Sequence, residues 1–205
     1  MLQNSSDNTI TEAGIDEAGR GCLAGRVYVA AVILPDKYDD DDQLYLMIKD
    51  SKKLSEKKRN ILKEYIEKIA ISYSVSWAER EEVDDLNILQ ATIKTMHKCI
   101  SKLDVEPENL LIDGNYFKQY RDKNNIIIPH QCIKGGDDKY RNIAAASILA
   151  KTYRDNYIKE LVKQNPDLDK YGWSKNKGYG TKEHMNAIKK YGITPYHRLS
   201  YSPCR

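Results

Sequence analysis

The stretch EAGIDEAGRGCLAGRVYVAAVIL, residues 12–34, decides the fold. Its two ends, EAGIDEA and RVYVAAVIL, are strand-like, and Gly21 and Gly25 separate them, which predicts two neighbouring antiparallel strands. Asp16 and Glu17 fall near the end of the first. Successive strand residues face opposite ways, so these acids share a site only if the chain bends, and Gly19 and Gly21 permit the bend.

Outward from this hairpin, YDDDDQ (38–43) reads as an exposed loop. Ser55 is a candidate N-cap for a helix over 56–70, with apolar residues at Ile61, Leu62, Tyr65, Ile66 and Ile69. ISYSVSWAE (71–79) alternates with period two, as a half-buried strand does. Leu86, Leu89, Ile93, Met96, Ile100 and Leu103 recur at three- and four-residue spacing and predict one amphipathic helix. NLLIDGN is a short buried strand ending at Asp113. NIIIPHQCI (125–133) is a peripheral strand, because Pro129 cannot donate to a ladder. An Ala-rich helix over 141–162 completes the order β-β-α-β-α-β-β-α, and a helical tail with a last helix from Thr181 to Gly192 follows. A meander joined to helical crossovers implies an α/β fold, a mixed sheet covered by helices.

The chain's 205 residues suffice for one buried core and are few for two, so a single domain over 1–205 is expected, with a helical extension over about 165–205. The net charge is +3, but Asp138 to Arg205 holds 14 Lys/Arg against 6 Asp/Glu, which leaves the first 137 residues acidic. That asymmetry suits a polyanionic partner, or equally a solvated Lys-rich surface. Cys22, Cys99, Cys132 and Cys204 form no CxxC pair and no zinc spacing. The polar N-terminus lacks a signal-peptide pattern, and VYVAAVIL is too short to span a bilayer, so a cytoplasmic protein without membrane contact is expected.

If the first and fourth strands run parallel as neighbours, the strand order reverses between them, and ligands of open α/β sheets bind at such a switch point. Asp16, Glu17 and Asp113 end these strands, and Asp137 sits where KGGDD enters the Ala-rich helix. Hard divalent cations such as Mg²⁺ are the natural occupants of a carboxylate cluster, and two of them about 4 Å apart can clamp an in-line phosphoryl displacement. Taken singly, each acid equally fits an ion pair, an Asp-Gly turn or a helix cap. The acidic run Asp39 to Asp42 is a solvated loop, since consecutive side chains diverge.

The glycines of GRGCLAG mimic a dinucleotide fingerprint, but a strand rather than a helix follows them. The open loop instead lets main-chain groups reach a ligand, with Arg20 available for phosphate. A main-chain contact to a sugar hydroxyl distinguishes RNA from DNA. Lys52 and Lys53, just before a helix, are candidate phosphate contacts, and Tyr179, between two glycines in KGYG, is a candidate stacking platform. His184 and His197 are read as structural, and His97 and His130 carry no metal assignment.

In this order along the chain, GIDEAGRG, DSKKLS, LNILQAT, LIDGN, KGGDDKYRNIAAASILAKTYRD, GYGT and YHRLSY together resemble the bacterial ribonuclease HII family. The resemblance covers most of the chain from Gly14 to Tyr201. It implies an RNase H-like fold with a central five-stranded mixed sheet, flanked by helices and followed by a C-terminal helical extension. It implies cleavage of the RNA strand of RNA/DNA hybrids and of duplex DNA containing ribonucleotides, cut on their 5′ side to leave 3′-hydroxyl and 5′-phosphate ends. It further implies two Mg²⁺ or Mn²⁺ ions on Asp16, Glu17, Asp113 and Asp137, ribose recognition by Gly19, Arg20 and Gly21, and deoxyribose packing on Tyr179. A monomer is expected, and a sliding-clamp contact is left open. One departure stands out: the family's Lys-Gly-Asp is Lys134-Gly135-Gly136-Asp137-Asp138 here, and spacing to Ser147 favours Asp137 over Asp138 as the ligand.

Overall fold

Every residue of β1 (Glu12–Ala18) except Glu17 is buried, which marks a strand covered on both faces. In the computed structural model, which describes residues 2, 3, 6, 9–35, 42–49 and 51–205, β1 is the middle strand of a five-stranded sheet. It pairs antiparallel with β2 (Val27–Ile33) and parallel with β4 (Asn109–Asp113). β3 (Ser72–Ala78) continues the sheet antiparallel to β2, and β7 (His130–Ile133) continues it parallel to β4. The order is β3-β2-β1-β4-β7, so successive strands are added to one side of β1 and then, from β4, to the other, which puts the switch point between β1 and β4. A separate hairpin joins β5 (Tyr120–Arg121) to β6 (Ile127–Ile128).

Alternation along the strands gives each face its own core. Ala30 and Val32 pack with Leu62 and Ile66 of α2 (Glu56–Ile69) and with the Ala-rich face of α5 (Arg141–Gln164). Ala13, Ile15, Val29 and Ala31 pack with Met96, Cys99 and Ile100 of α4 (Ile88–Ile100). At Gly14, main chain meets main chain: a Cβ there would lie 2.2 Å from the main-chain carbon of Asn142. From that contact the Asn142 side chain bonds both neighbouring strands, donating to Glu12 O at 3.0 Å and accepting from Leu34 N–H at 2.9 Å.

Several expectations need correction. The single amphipathic helix is two: α3 (Arg80–Leu86) ends at Asn87, whose φ is +66° and whose side chain accepts the N–H groups of Leu89 and Gln90 to start α4. Leu86 is therefore exposed, and Leu103 joins the core from beyond the end of α4. Ile61 of α2 is exposed as well. Pro129 divides the segment 125–133 into β6 and the edge strand β7. Asp42 is no solvated residue: it caps α1 (Gln43–Leu46) and accepts from the Tyr65 hydroxyl at 3.0 Å, while Asp39–Asp41 fall outside the described residues.

Beyond α5, the chain is helical, with α6 (Trp173–Asn176) and α7 (Lys182–Tyr191), the latter capped by Thr181 as expected. His184 and His197 are fully buried there. His184 Nδ1 donates to Tyr179 O, so its Nε2 accepts from Trp173 Nε1–H and from His197 Nε2–H, and His197 Nδ1 accepts from Thr194 N–H. That chain requires both rings neutral, and burial pushes His197 down to about 4. Among the described residues, no helix is long and apolar enough to cross a membrane.

Gly14→Ala inserts a methyl into main chain rather than into a yielding side chain. Its cost is expected at or above the upper end of ordinary overpacking, about 3 kcal/mol. Urea unfolding of the variant against the parent measures it.

Candidate active site

Asp16 points to the α5 side of the sheet at the carboxyl end of β1, and Asp113 ends the neighbouring parallel strand β4. Together with Glu17, these acids line a cleft of about 240 Å³, whose other walls include Gly19, Arg20, Gly21, Ser51, Ser147, Lys151 and Tyr179. The switch point between β1 and β4 thus gathers three of the four expected carboxylates. Asp16 is held well above the usual carboxylate range, first by burial, then by the charges of Glu17 and Asp113. Hydrogen bonds from Ser147 and from Glu17 N–H, the latter at 2.6 Å, oppose that shift.

Asp137 is buried in the short 3₁₀ turn Gly136–Asp138 but does not line the cleft. The extra glycine has a definite place: Gly135 takes a φ of +62°, and Gly136 N–H donates to Asp113 Oδ1 at 2.8 Å, with Asp137 next in the chain. Asp138 is exposed and bonded by Lys53 Nζ at 2.6 and 2.8 Å. Among the described residues, no three Asp, Glu, His or Cys side chains stand close enough around one point to hold an ion. The donor set nonetheless suits hard divalent cations, being all carboxylate oxygen, with one member buried against the charges of two others.

The glycine loop is held for two different reasons. Gly19 has a φ of +97°, and a Cβ there would meet Arg154 Nε at 2.1 Å, so a side chain is excluded by packing. Gly21 faces open space, and no neighbour within 4 Å forbids a side chain. Its bare backbone therefore leaves a neighbouring ligand unobstructed. Arg20 is half exposed and pairs with Glu17 at 3.1 Å. Tyr179 is partly exposed, with Lys151 Nζ and Arg154 Cζ at 5.4 and 5.5 Å from its ring centre. Lys52 and Lys53 belong to the 3₁₀ turn Ser51–Lys53, and Lys53 does not line the cleft.

Sequence reasoning passed over four contributors. Ser51 Oγ and Ser147 Oγ lie 2.9 Å apart, both buried, and connect the 3₁₀ turn to Asp16. Lys151 lines the cleft while paired with Asp155 at 2.8 Å. Arg154, fully buried, donates to the carbonyls of Ala24, Arg26 and Lys177 and so ties the glycine loop to the turn before Tyr179. Ser147, Lys151 and Arg154 follow i, i+4, i+7 spacing on α5, the signal that one helix face turns toward the acids.

Carboxylates clustered at the switch point of this sheet are the layout of an RNase H-like nuclease. The sequence profile of the family Ribonuclease HII matches residues 13–204. Ribonuclease HII of Bacteroides thetaiotaomicron is 49% identical over 202 residues, covering 98% of this chain and 94% of that one. That of Parabacteroides distasonis is 53% identical over 191 residues, covering 93% and 89%. The solved structure of ribonuclease H2 from Pyrococcus horikoshii superposes with a TM-score of 0.76 at 24% identity, over 96% of each chain. The chain belongs to the ribonuclease HII family and is an RNase H endonuclease.

Because Asp16 is buried among like charges, Asp16→Asn is expected to raise the melting temperature when a chelator removes divalent ions. Thermal unfolding in EDTA checks the direction, and a lower melting temperature would contradict the account of the cleft.

Proposed function

We propose that the protein cuts the RNA strand of RNA/DNA hybrids, and duplex DNA containing ribonucleotides on the 5′ side of each, leaving 3′-hydroxyl and 5′-phosphate ends. The observation carrying this reading is that three carboxylates and a bare glycine loop line one cleft, together with Tyr179. Asp16, Glu17, Asp113 and Asp137 would hold Mg²⁺ or Mn²⁺, two ions in the catalytic complex, which when bound supply nucleophile activation and stabilise the developing phosphoryl charge. Ser147 and Glu17 N–H orient the Asp16 carboxylate, and Gly136 N–H orients that of Asp113. Arg20, half exposed and paired with Glu17, would exchange that pairing for substrate phosphate.

Gly19, Arg20 and Gly21 read the ribose through main-chain groups, and the open space at Gly21 supports this role. Tyr179 offers its partly exposed ring to the adjoining deoxyribose. The 2′-hydroxyl is thus a recognition element rather than the nucleophile, and no cyclic phosphate forms. Lys52 and Lys53 contact phosphates of the bound duplex, with Lys53 released from Asp138 to do so. The helical segment over about 165–205 contributes Tyr179 and a basic surface to the same duplex.

Asp16→Asn is expected to lower cleavage of an RNA/DNA hybrid more than about 100-fold, beyond the loss from disturbing groups that merely orient metal ligands. Hybrid binding should be retained. Rates with Mg²⁺ or Mn²⁺, alongside binding by fluorescence anisotropy, test this, and parental activity in the variant would remove the metal-site assignment.

A further inference from the structure

We infer that Arg198 and Tyr201 are positioning residues for ribose recognition: they grip the carbonyl of Arg20 and thereby fix the direction of the Gly21 N–H in the cleft. The inference rests on the reading of Gly19-Arg20-Gly21 as the loop that meets the sugar. Arg198 Nη1 donates to Arg20 O at 3.0 Å, and the Tyr201 hydroxyl donates to the same oxygen at 2.5 Å. Arg198 Nε and Nη2 both donate to Gly25 O, at 3.0 and 2.9 Å, and Arg198 N–H donates to Leu23 O at 2.8 Å. Both ends of the loop are therefore tied to one side chain.

The consequence follows from peptide planarity. The Arg20 carbonyl and the Gly21 N–H belong to one rigid trans unit and point in opposite directions, so fixing the first aims the second. Gly21 lines the cleft beside Asp16, with open space where its side chain would be. A loop of glycines has the most conformational freedom to lose, and a held peptide plane removes that freedom before substrate arrives.

Arg198 is fully buried, yet its hydrogen bonds go to main-chain carbonyls and to Tyr201 rather than to a carboxylate. A buried charge placed this way is a costly space-filler and a good geometric clamp. The clamp is itself anchored. The Asp84 carboxylate on α3 accepts from Leu199 N–H at 3.0 Å, Ser200 N–H at 2.8 Å and Ser200 Oγ–H at 2.6 Å. The segment Arg198–Tyr201 thus bridges α3 to the glycine loop without lining the cleft.

Tyr201→Phe keeps the ring and deletes one donor to Arg20 O. On a DNA duplex containing one ribonucleotide, KM is expected to rise about fivefold, the typical worth of one neutral hydrogen bond, while kcat moves less. Arg198→Lys, which cannot reach two carbonyls with a planar fork, should raise KM further. Gly21→Val serves as the control on the loop. An unchanged KM in Tyr201→Phe, with KM raised in Gly21→Val, overturns the clamp while leaving the loop reading intact. Unchanged KM in both overturns the loop reading and the clamp with it. A fall in kcat that tracks a fall in melting temperature, without a rise in KM, would show a merely structural role and also overturn the inference.

Discussion

The structure depends on how closely α5 is laid on β1. At Gly14, the two main chains leave no room for a Cβ, and at Gly19, the same helix fills the side-chain space with Arg154. Between these contacts, α5 carries Asn142 to β1 and β2, Ser147 to Asp16, and Lys151 to the cleft wall. One helix thereby sets the geometry of both halves of the site, the acids at the strand ends and the loop that follows. Movement of α5 by even a methyl's width would displace both halves together, because a close-packed interior transmits such shifts.

The electrostatics run against the folding. Burial beside Glu17 and Asp113 disfavours the ionised form of Asp16, the form that a divalent ion requires. Neighbouring donors soften the conflict: Ser147 and a main-chain N–H at Asp16, Arg20 at Glu17, and Gly136 N–H at Asp113. These contacts hold the carboxylates in place without neutralising the cluster. The site is therefore a region of lowered stability supported from its surroundings, as expected where charge is stored for chemistry.

Much of this was legible in the sequence because the signals were local. EAGIDEA and RVYVAAVIL became β1 and β2, NLLID became β4, and the parallel pairing placed Asp16 beside Asp113. Ser55 and Thr181 cap the helices they were expected to cap. The misses were cases where tertiary context overruled periodicity. Leu86 keeps helical spacing with Leu89, but the φ of +66° at Asn87 ends one helix and begins another. Asp42 looked like its acidic neighbours until a helix and Tyr65 supplied its partners. By contrast, β3 alternates as expected, with Ser72, Ser74 and Ser76 on its buried face and Trp77 facing out. Of the cleft lining, Asp16, Glu17, Asp113, Gly19 and Gly21 were legible by residue type, whereas Asp137 stands outside it. Ser51, Arg154, Arg198 and Tyr201 were not, since their roles come from contacts formed only after distant segments meet.

The account's central claim is that one cleft joins metal-dependent hydrolysis to ribose recognition. Its most direct test is Mg²⁺-dependent cleavage of an end-labelled DNA duplex containing a single ribonucleotide, with the product ends mapped. The account predicts one cut, on the 5′ side of the ribonucleotide, with a 3′-hydroxyl on the upstream product. A cut on its 3′ side, a 2′,3′-cyclic phosphate end, or an uncut duplex from a preparation that cleaves long RNA/DNA hybrids would contradict it.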